Sequence, residues 1–181
     1  AQEERQTIAE DQQSVIEKNE RNENANAFFG LKAVDDTGSF ACLVKVNADT
    51  GEVIKESPVS SIRSRSIYDV GDNYIAVAGE NKGIGAVKLV LLDKQNMEIV
   101  QESEERLADA SVLVEADGSY YCVIQDDAGF LLAKFDGQLN LQQKSLLTVK
   151  PSTPITISEA GILVTGSNGK AVLLKADFSK K

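Results

Sequence analysis

The chain contains no histidine and no tryptophan, and only one methionine, two cysteines and three prolines. Without imidazole, the commonest general base is missing, and with it the Ser-His-Asp and Cys-His arrangements and most zinc sites. Glu, Lys and Tyr remain able to carry acid–base chemistry, but no pairing of them is marked by spacing. Two cysteines do not make a disulfide scaffold. Cys42 and Cys122 each lie inside an apolar, strand-like run, FACLVKV and YYCVIQ, where a free thiol serves as a small hydrophobe. A disulfide between them would be compatible with export, so the redox compartment stays open. Aromatic residues make up 6% of the chain, too few to favour a carbohydrate-binding module, which would present exposed rings.

Long apolar runs are missing as well: no stretch approaches the roughly 18 to 20 residues that cross a bilayer as a helix. The first residues, AQEERQTIAE, have neither a basic leader nor an apolar segment, so any export signal is expected to have been removed or never present. The lack of an initiator Met fits a processed chain or a piece of a longer protein. Basic charge is in deficit, with a net charge of −9 and a pI near 4.6. Nucleic acid is therefore not expected as a partner, since phosphate-backbone binding needs a basic stripe.

What is present suits one folded domain: 181 residues, 42% apolar and 26% charged. Residues 2–24 are rich in Glu, Gln, Arg and Lys and lack Gly and Pro, which predicts helix. Residues 1–26 are thus expected to form a helical lead-in. Ile8, Val15 and Ile16 make it a possible end of a coiled coil, through which oligomerisation is possible. From Phe28 onward, runs of six or seven residues alternate with Gly, Asn and Asp, the pattern of strands and turns. Residues 27–181 are expected to form a β domain.

Within that domain the pattern repeats. A polar residue follows a strand at Asn47, Asp93, Asp136 and Asp177, at intervals of 46, 43 and 41 residues. Each of the first three is followed by a turn and a strand ending at Ser57, Ser103 or Ser145. An earlier hairpin recurs around DDTG, NKGIG, DAG and NGK, and a further strand precedes the last three hairpins at RSIYDV, SVLVEA and PITISE. Four such units imply an all-β, β-propeller-like domain of about four blades behind the N-terminal helix. Fourteen strands are expected where four full blades would need sixteen: the first unit lacks its innermost strand and the last its outermost. A β-sandwich or part of a larger propeller is the alternative.

Motifs that carry chemistry are few. GENKGIG, residues 79–85, lacks the Lys-Ser/Thr ending and the strand-to-helix context of a phosphate loop, and reads as a hairpin turn. Acidic turns recur at Asp35-Asp36, Asp49, Asp117, Asp126-Asp127 and Asp136, where tight turns want Asp in any case. Lys45, Lys134 and Lys175 stand two residues before the repeated Asn or Asp, on the same strand face, and are expected as exposed cross-strand partners that keep the sheets soluble; the alternative is a ring of such lysine–acid pairs lining a ligand channel. No metal, nucleotide or other cofactor is expected. Arg63 and Arg65 form the one close pair of arginines after the lead-in, and guanidinium suits carboxylate or phosphate recognition. In a propeller their loop would share a face with Glu80, Asn81, Lys82, Asp126 and Asp127, which makes these seven residues the candidate binding set.

The Glu/Gln-rich lead-in, followed by NADTGEVIKESPVSSIRSRSIYDVGDNYIAVAGE, AVKLVLLDKQNMEIVQES and YYCVIQDDAGFLLAKFDGQLNLQQKS, resembles the C-terminal region of the spirochaetal 83/100-kDa antigen family. The resemblance implies an extracytoplasmic, periplasmic or cell-envelope location and supplies no active-site residues. The expected function is a non-enzymatic interaction or structural domain of a cell-envelope antigen, with an unidentified protein partner. The alternative is an enzyme with carboxylates or a lysine at the propeller centre.

Overall fold

Runs such as YIAVA and KLVLL have no polar break, and a short apolar run bounded by turn residues is the mark of a strand covered on both faces. The computed structural model describes residues 26–80 and 85–181. Among them it has fourteen strands and no helix. The helical lead-in lies outside the described residues, apart from Asn26.

The strands form four antiparallel sheets. Sheet 1 comprises β1 (Ala27–Ala33), β2 (Ala41–Asn47) and β3 (Val53–Glu56). Sheet 2 comprises β4 (Tyr68–Val70), β5 (Asn73–Ala78), β6 (Lys88–Asp93) and β7 (Ile99–Arg106). Sheet 3 comprises β8 (Val114–Ala116), β9 (Ser119–Asp126), β10 (Gly129–Phe135) and β11 (Leu141–Thr148). Sheet 4 comprises β12 (Thr156–Ser158), β13 (Gly161–Thr165) and β14 (Ala171–Leu174). In each sheet the strands lie side by side in chain order. The all-β expectation holds for the described residues.

Two of the serines that the sequence places at strand ends sit inside the strands. Ser103 and Ser145 interrupt β7 and β11 where the register slips against β6 and β10. At the slip the serine hydroxyl replaces a strand carbonyl: Ser103 Oγ accepts from the Leu89 amide at 3.1 Å, and Ser145 Oγ from that of Leu132 at 3.0 Å. A bulge that would orphan a buried amide is thereby satisfied.

Side chains alternate between the two faces of a strand, and three cores use that alternation. Phe29, Leu31, Ala41 and Leu43 of sheet 1 pack with Tyr74, Ala76, Val90 and Leu92 of sheet 2. The opposite face of sheet 2, with Ile75, Val77, Leu89 and Leu91, packs on Tyr120, Cys122, Ile124, Leu131 and Ala133 of sheet 3. The other face of sheet 3, with Tyr121, Val123 and Leu132, packs on Ile162, Val164 and Leu174 of sheet 4. Consecutive sheets are thus stacked, and none of the three cores joins sheet 4 to sheet 1.

Two devices recur at these junctions. After β3, β7 and β11 a buried aliphatic residue, Ile62, Leu107 or Val149, bridges one sheet to the next. Leu107 donates to Val87 O (2.9 Å) while Ala108 donates to Val123 O (2.9 Å). Val149 and Lys150 do the same with Phe130 O and Thr165 O, at 2.9 and 3.0 Å. The second device is an apolar plug. Met97, Leu139 and Phe178 hold positive φ (59°, 63° and 67°) in otherwise polar turns, and each side chain is buried in the core toward the preceding sheet. Left-handed backbone is costly for a bulky residue, so burial of the plug has to offset it. Sheet 1 has Gly51 at the matching turn position, with φ 74° and no side chain to insert.

Candidate functional site

The loops that follow β3 and β7 and the turn after β5 meet at one end of the stack, and Arg63 ties them together. Its Nε donates to Gly79 O, Nη2 to Glu80 O at 3.2 Å and Nη1 to Asp109 O at 3.4 Å. Its guanidinium lies 4.8 Å from the centroid of the Phe40 ring, a cation–π distance. Arg63 therefore spans loops of the first three sheets and is half-buried in doing so.

Arg65 is exposed, with φ 55°, and donates from Nε to Gly38 O at 3.1 Å. Among the described residues no carboxylate pairs with it. Glu80 is exposed beside Arg63, whose contact is with the Glu80 carbonyl and not its side chain. Gly79 has φ 137° and stands against the next strand's start, with only 2.5 Å between a would-be Cβ and Ala86 O. That crowding accounts for the first glycine of GENKGIG without any phosphate. Asn81 and Lys82 lie outside the described residues.

Asp126 closes the β9–β10 turn by accepting from the Ala128 amide at 2.8 Å and pairs with Lys144 at 3.2 Å. These bonds, the amide first, hold its carboxyl below the usual carboxylate range. Asp127 is exposed. Of the seven candidate residues, the structure brings Arg63 and Glu80 into contact, sets Arg65 two residues further along the same β3–β4 connection as Arg63, and commits Asp126 to its own turn.

The opposite end carries the repeated polar positions. Asn47 Oδ1 accepts from the amides of Asp49 and Thr50 (2.9 and 3.2 Å), Asp93 from Asn96 and Glu98 (2.7 and 3.1 Å), and Asp136 from Gln138 and Asn140 (2.8 and 3.0 Å). In sheet 4 the matching backbone position is Lys175, whose amide donates to Ser179 O at 2.8 Å as the Asp136 amide does to Asn140 O at 3.1 Å. Asp177 sits two residues further on and caps Ser179 instead (2.9 Å). These polar residues bind turn amides, and the ion pairs among the described residues lie elsewhere, at Lys32–Glu56 (2.8 Å), Lys94–Asp69 (2.7 Å) and Lys144–Asp126 (3.2 Å).

Buried hydroxyls missed by the sequence reading have similar work. Ser111 Oγ accepts from the Val123 amide at 2.8 Å and Thr153 Oγ1 from that of Thr165 at 2.7 Å, and both are buried. Spacing was the available sign, since each stands four residues after Leu107 or Val149. A surface groove of about 560 Å³ runs between β11 and the last turn, lined by Lys144, Leu146, Leu147 and Phe178 among others. Among the described residues no group of three or more acids and cysteines is placed to hold a metal, and no helix is long and apolar enough to cross a membrane.

A family model described as Borrelia P83/100 protein matches residues 1–155. A search of curated proteins finds no match.

Proposed function

The chain belongs to the Borrelia P83/100 protein family, and on that premise we propose that it is a non-enzymatic, propeller-like interaction domain of a cell-envelope antigen. The observation that carries the proposal is the junction at Arg63, where one side chain locks loops of three consecutive sheets into a single fixed surface. Loops held on a rigid scaffold are where binding residues concentrate. Arg63 acts as the positioning residue, and exposed Arg65, Glu80 and Asp127, with Asn81, Lys82 and Asp126, supply the polar contacts to a protein partner. The four stacked sheets are read as blades of a repeat fold, which offers surfaces to partners through its loops.

The test is capture of binding partners from native envelope extract by the immobilised chain, with Arg65→Ala,Asp127→Ala in parallel. A specific partner retained by the parent and bound at least tenfold more weakly by the variant, about 1.4 kcal/mol, supports this face. Equal retention by both removes it.

A further inference from the structure

The two ends of the stack are built to different rules from an ordinary exposed sheet. In sheets 2, 3 and 4, the face turned toward the preceding sheet carries a ladder of cross-strand apolar pairs. These are Tyr74↔Leu92 and Ala76↔Val90 in sheet 2, Tyr120↔Phe135 and Cys122↔Ala133 in sheet 3, and Ile162↔Leu174 and Val164↔Val172 in sheet 4. Sheet 1 carries a shorter apolar ladder on the same face, as Phe28↔Val46 and Gly30↔Val44, with Val53 beyond Val46 on β3. It is bordered by the Lys32↔Cys42 pair and by Glu56 opposite Val44, which binds Lys32. Among the described residues no sheet precedes it. Phe28 is 63% exposed and Val53 51% exposed. At the far end, the corresponding free face of sheet 4 carries Leu163 paired with Leu173 and Thr165 with Ala171, and Leu163 is 42% exposed.

We infer that the free face of sheet 4 docks on the free face of sheet 1 of a second copy of this chain, continuing the stack head to tail. The occupant is chosen by continuity: three internal junctions already bring a face of the sheet 4 kind against one of the sheet 1 kind. Charge agrees independently. Residues 27–57 contain five carboxylates against three lysines, and residues 156–181 contain four lysines against two carboxylates, so the two terminal sheets, counted whole with their turns, carry net −2 and +2. The plug that seals each internal junction is replaced in sheet 1 by Gly51, over which nothing packs. The contact between copies therefore buries less than an internal junction and is reversible. The two surfaces differ, so the association is heterologous and has no built-in limit at two copies.

Sedimentation of the full chain from low to high micromolar concentration tests this, with Val53→Glu and Leu163→Glu as single variants. The wild type should grow in mass with concentration beyond a dimer, and each variant alone should stay monomeric. A mixture of the two variants should form one-to-one pairs and nothing larger, because each retains one intact face. A monomeric wild type overturns the inference. So does association that survives both substitutions, which places it in residues 1–26 or on another surface, and so does a mixture that fails to pair. Circular dichroism checks folding, and Phe28→Ser and Ala171→Glu carry the same test where a glutamate unfolds the chain.

Discussion

The hydroxyl of Ser57, just past β3 of sheet 1, donates to the carbonyl of Met97, in the β6–β7 turn of sheet 2, across 2.5 Å. The bond joins the end of one sheet to the plug of the next, and Met97 itself is fully buried at a backbone angle that a long side chain rarely adopts. Packing between sheets thus dictates the turn conformation.

Truncating a plug should therefore weaken a whole junction. Met97→Ala and Leu139→Ala are each expected to lower stability by about 2–5 kcal/mol and Phe178→Ala by about 3–5 kcal/mol, read from urea unfolding. Gly51→Ala lies in an open turn at φ 74° and should cost only its local backbone strain, about 1–2 kcal/mol.

The buried serines give a sharper chemical test. Ser103→Ala or Ser145→Ala removes the acceptor of a buried strand amide, so about 1–3 kcal/mol should be lost. Thr in place of Ser keeps the acceptor. Amide exchange at Leu89 and Leu132 should quicken in the alanine variants alone.

Much of the strand pattern was legible because each run is bounded by Asp, Asn or Gly, and the polar turns were readable for the same reason. The plugs were harder to see: Met97, Leu139 and Phe178 sit inside KQNME, GQLN and ADFSK, and a single apolar residue in a polar turn has no period. Aligning Asp177 with Asp136 failed because residue type outweighed backbone position, which only the Lys175 amide reveals. Arg63 was legible only as one half of the close arginine pair with Arg65. Its commitment to three backbone carbonyls was not, since carbonyls carry no signature in sequence.

The two arginines should separate in their effect on stability. Arg63→Ala removes three hydrogen bonds and a ring contact and is expected to cost about 1–3 kcal/mol. Arg65→Ala, at an exposed site with one carbonyl contact, should stay within about 0.5 kcal/mol. Thermal unfolding of both variants decides this.

The pH profile follows from the turn acids. Asp35, Asp93, Asp126, Asp136 and Asp177 are held below the ordinary carboxylate range. The chief causes are the Thr37 hydroxyl for Asp35, the Asn96 amide for Asp93, the Ala128 amide for Asp126 and the Ser179 hydroxyl for Asp177. At Asp136 burial pushes upward but is outweighed by bonds from Asn140 and Gln138. Depressed carboxylates stabilise the fold above their unfolded pKa of about 4, and that stability is lost as pH falls through the folded values. Burial raises Tyr74, Tyr120 and Tyr121, so their contribution is present below about pH 10 and lost as pH climbs through the folded values. With no histidine, the unfolding midpoint should be flat between about pH 5 and 8. A stability step in that window would contradict this assignment.

Cys42 and Cys122 are both free and buried, and burial pushes both thiols above their usual range, Cys122 much further. Alkylation of the native chain should reach Cys42 first, beneath the Lys32–Glu56 pair. Cys122 should react only on unfolding. Equal labelling of the two would show that the sheet 2–sheet 3 core is open.

The central claim is that loops fixed by Arg63 form the surface that meets a protein partner. Hydrogen exchange of the chain alone and with its captured envelope partner tests that surface directly. Protection should appear in the loops around residues 36–40, 63–66, 79–80 and 126–128, with the strand cores unchanged. Protection confined to the opposite turns, at 48–52, 94–98 and 137–140, would contradict the account.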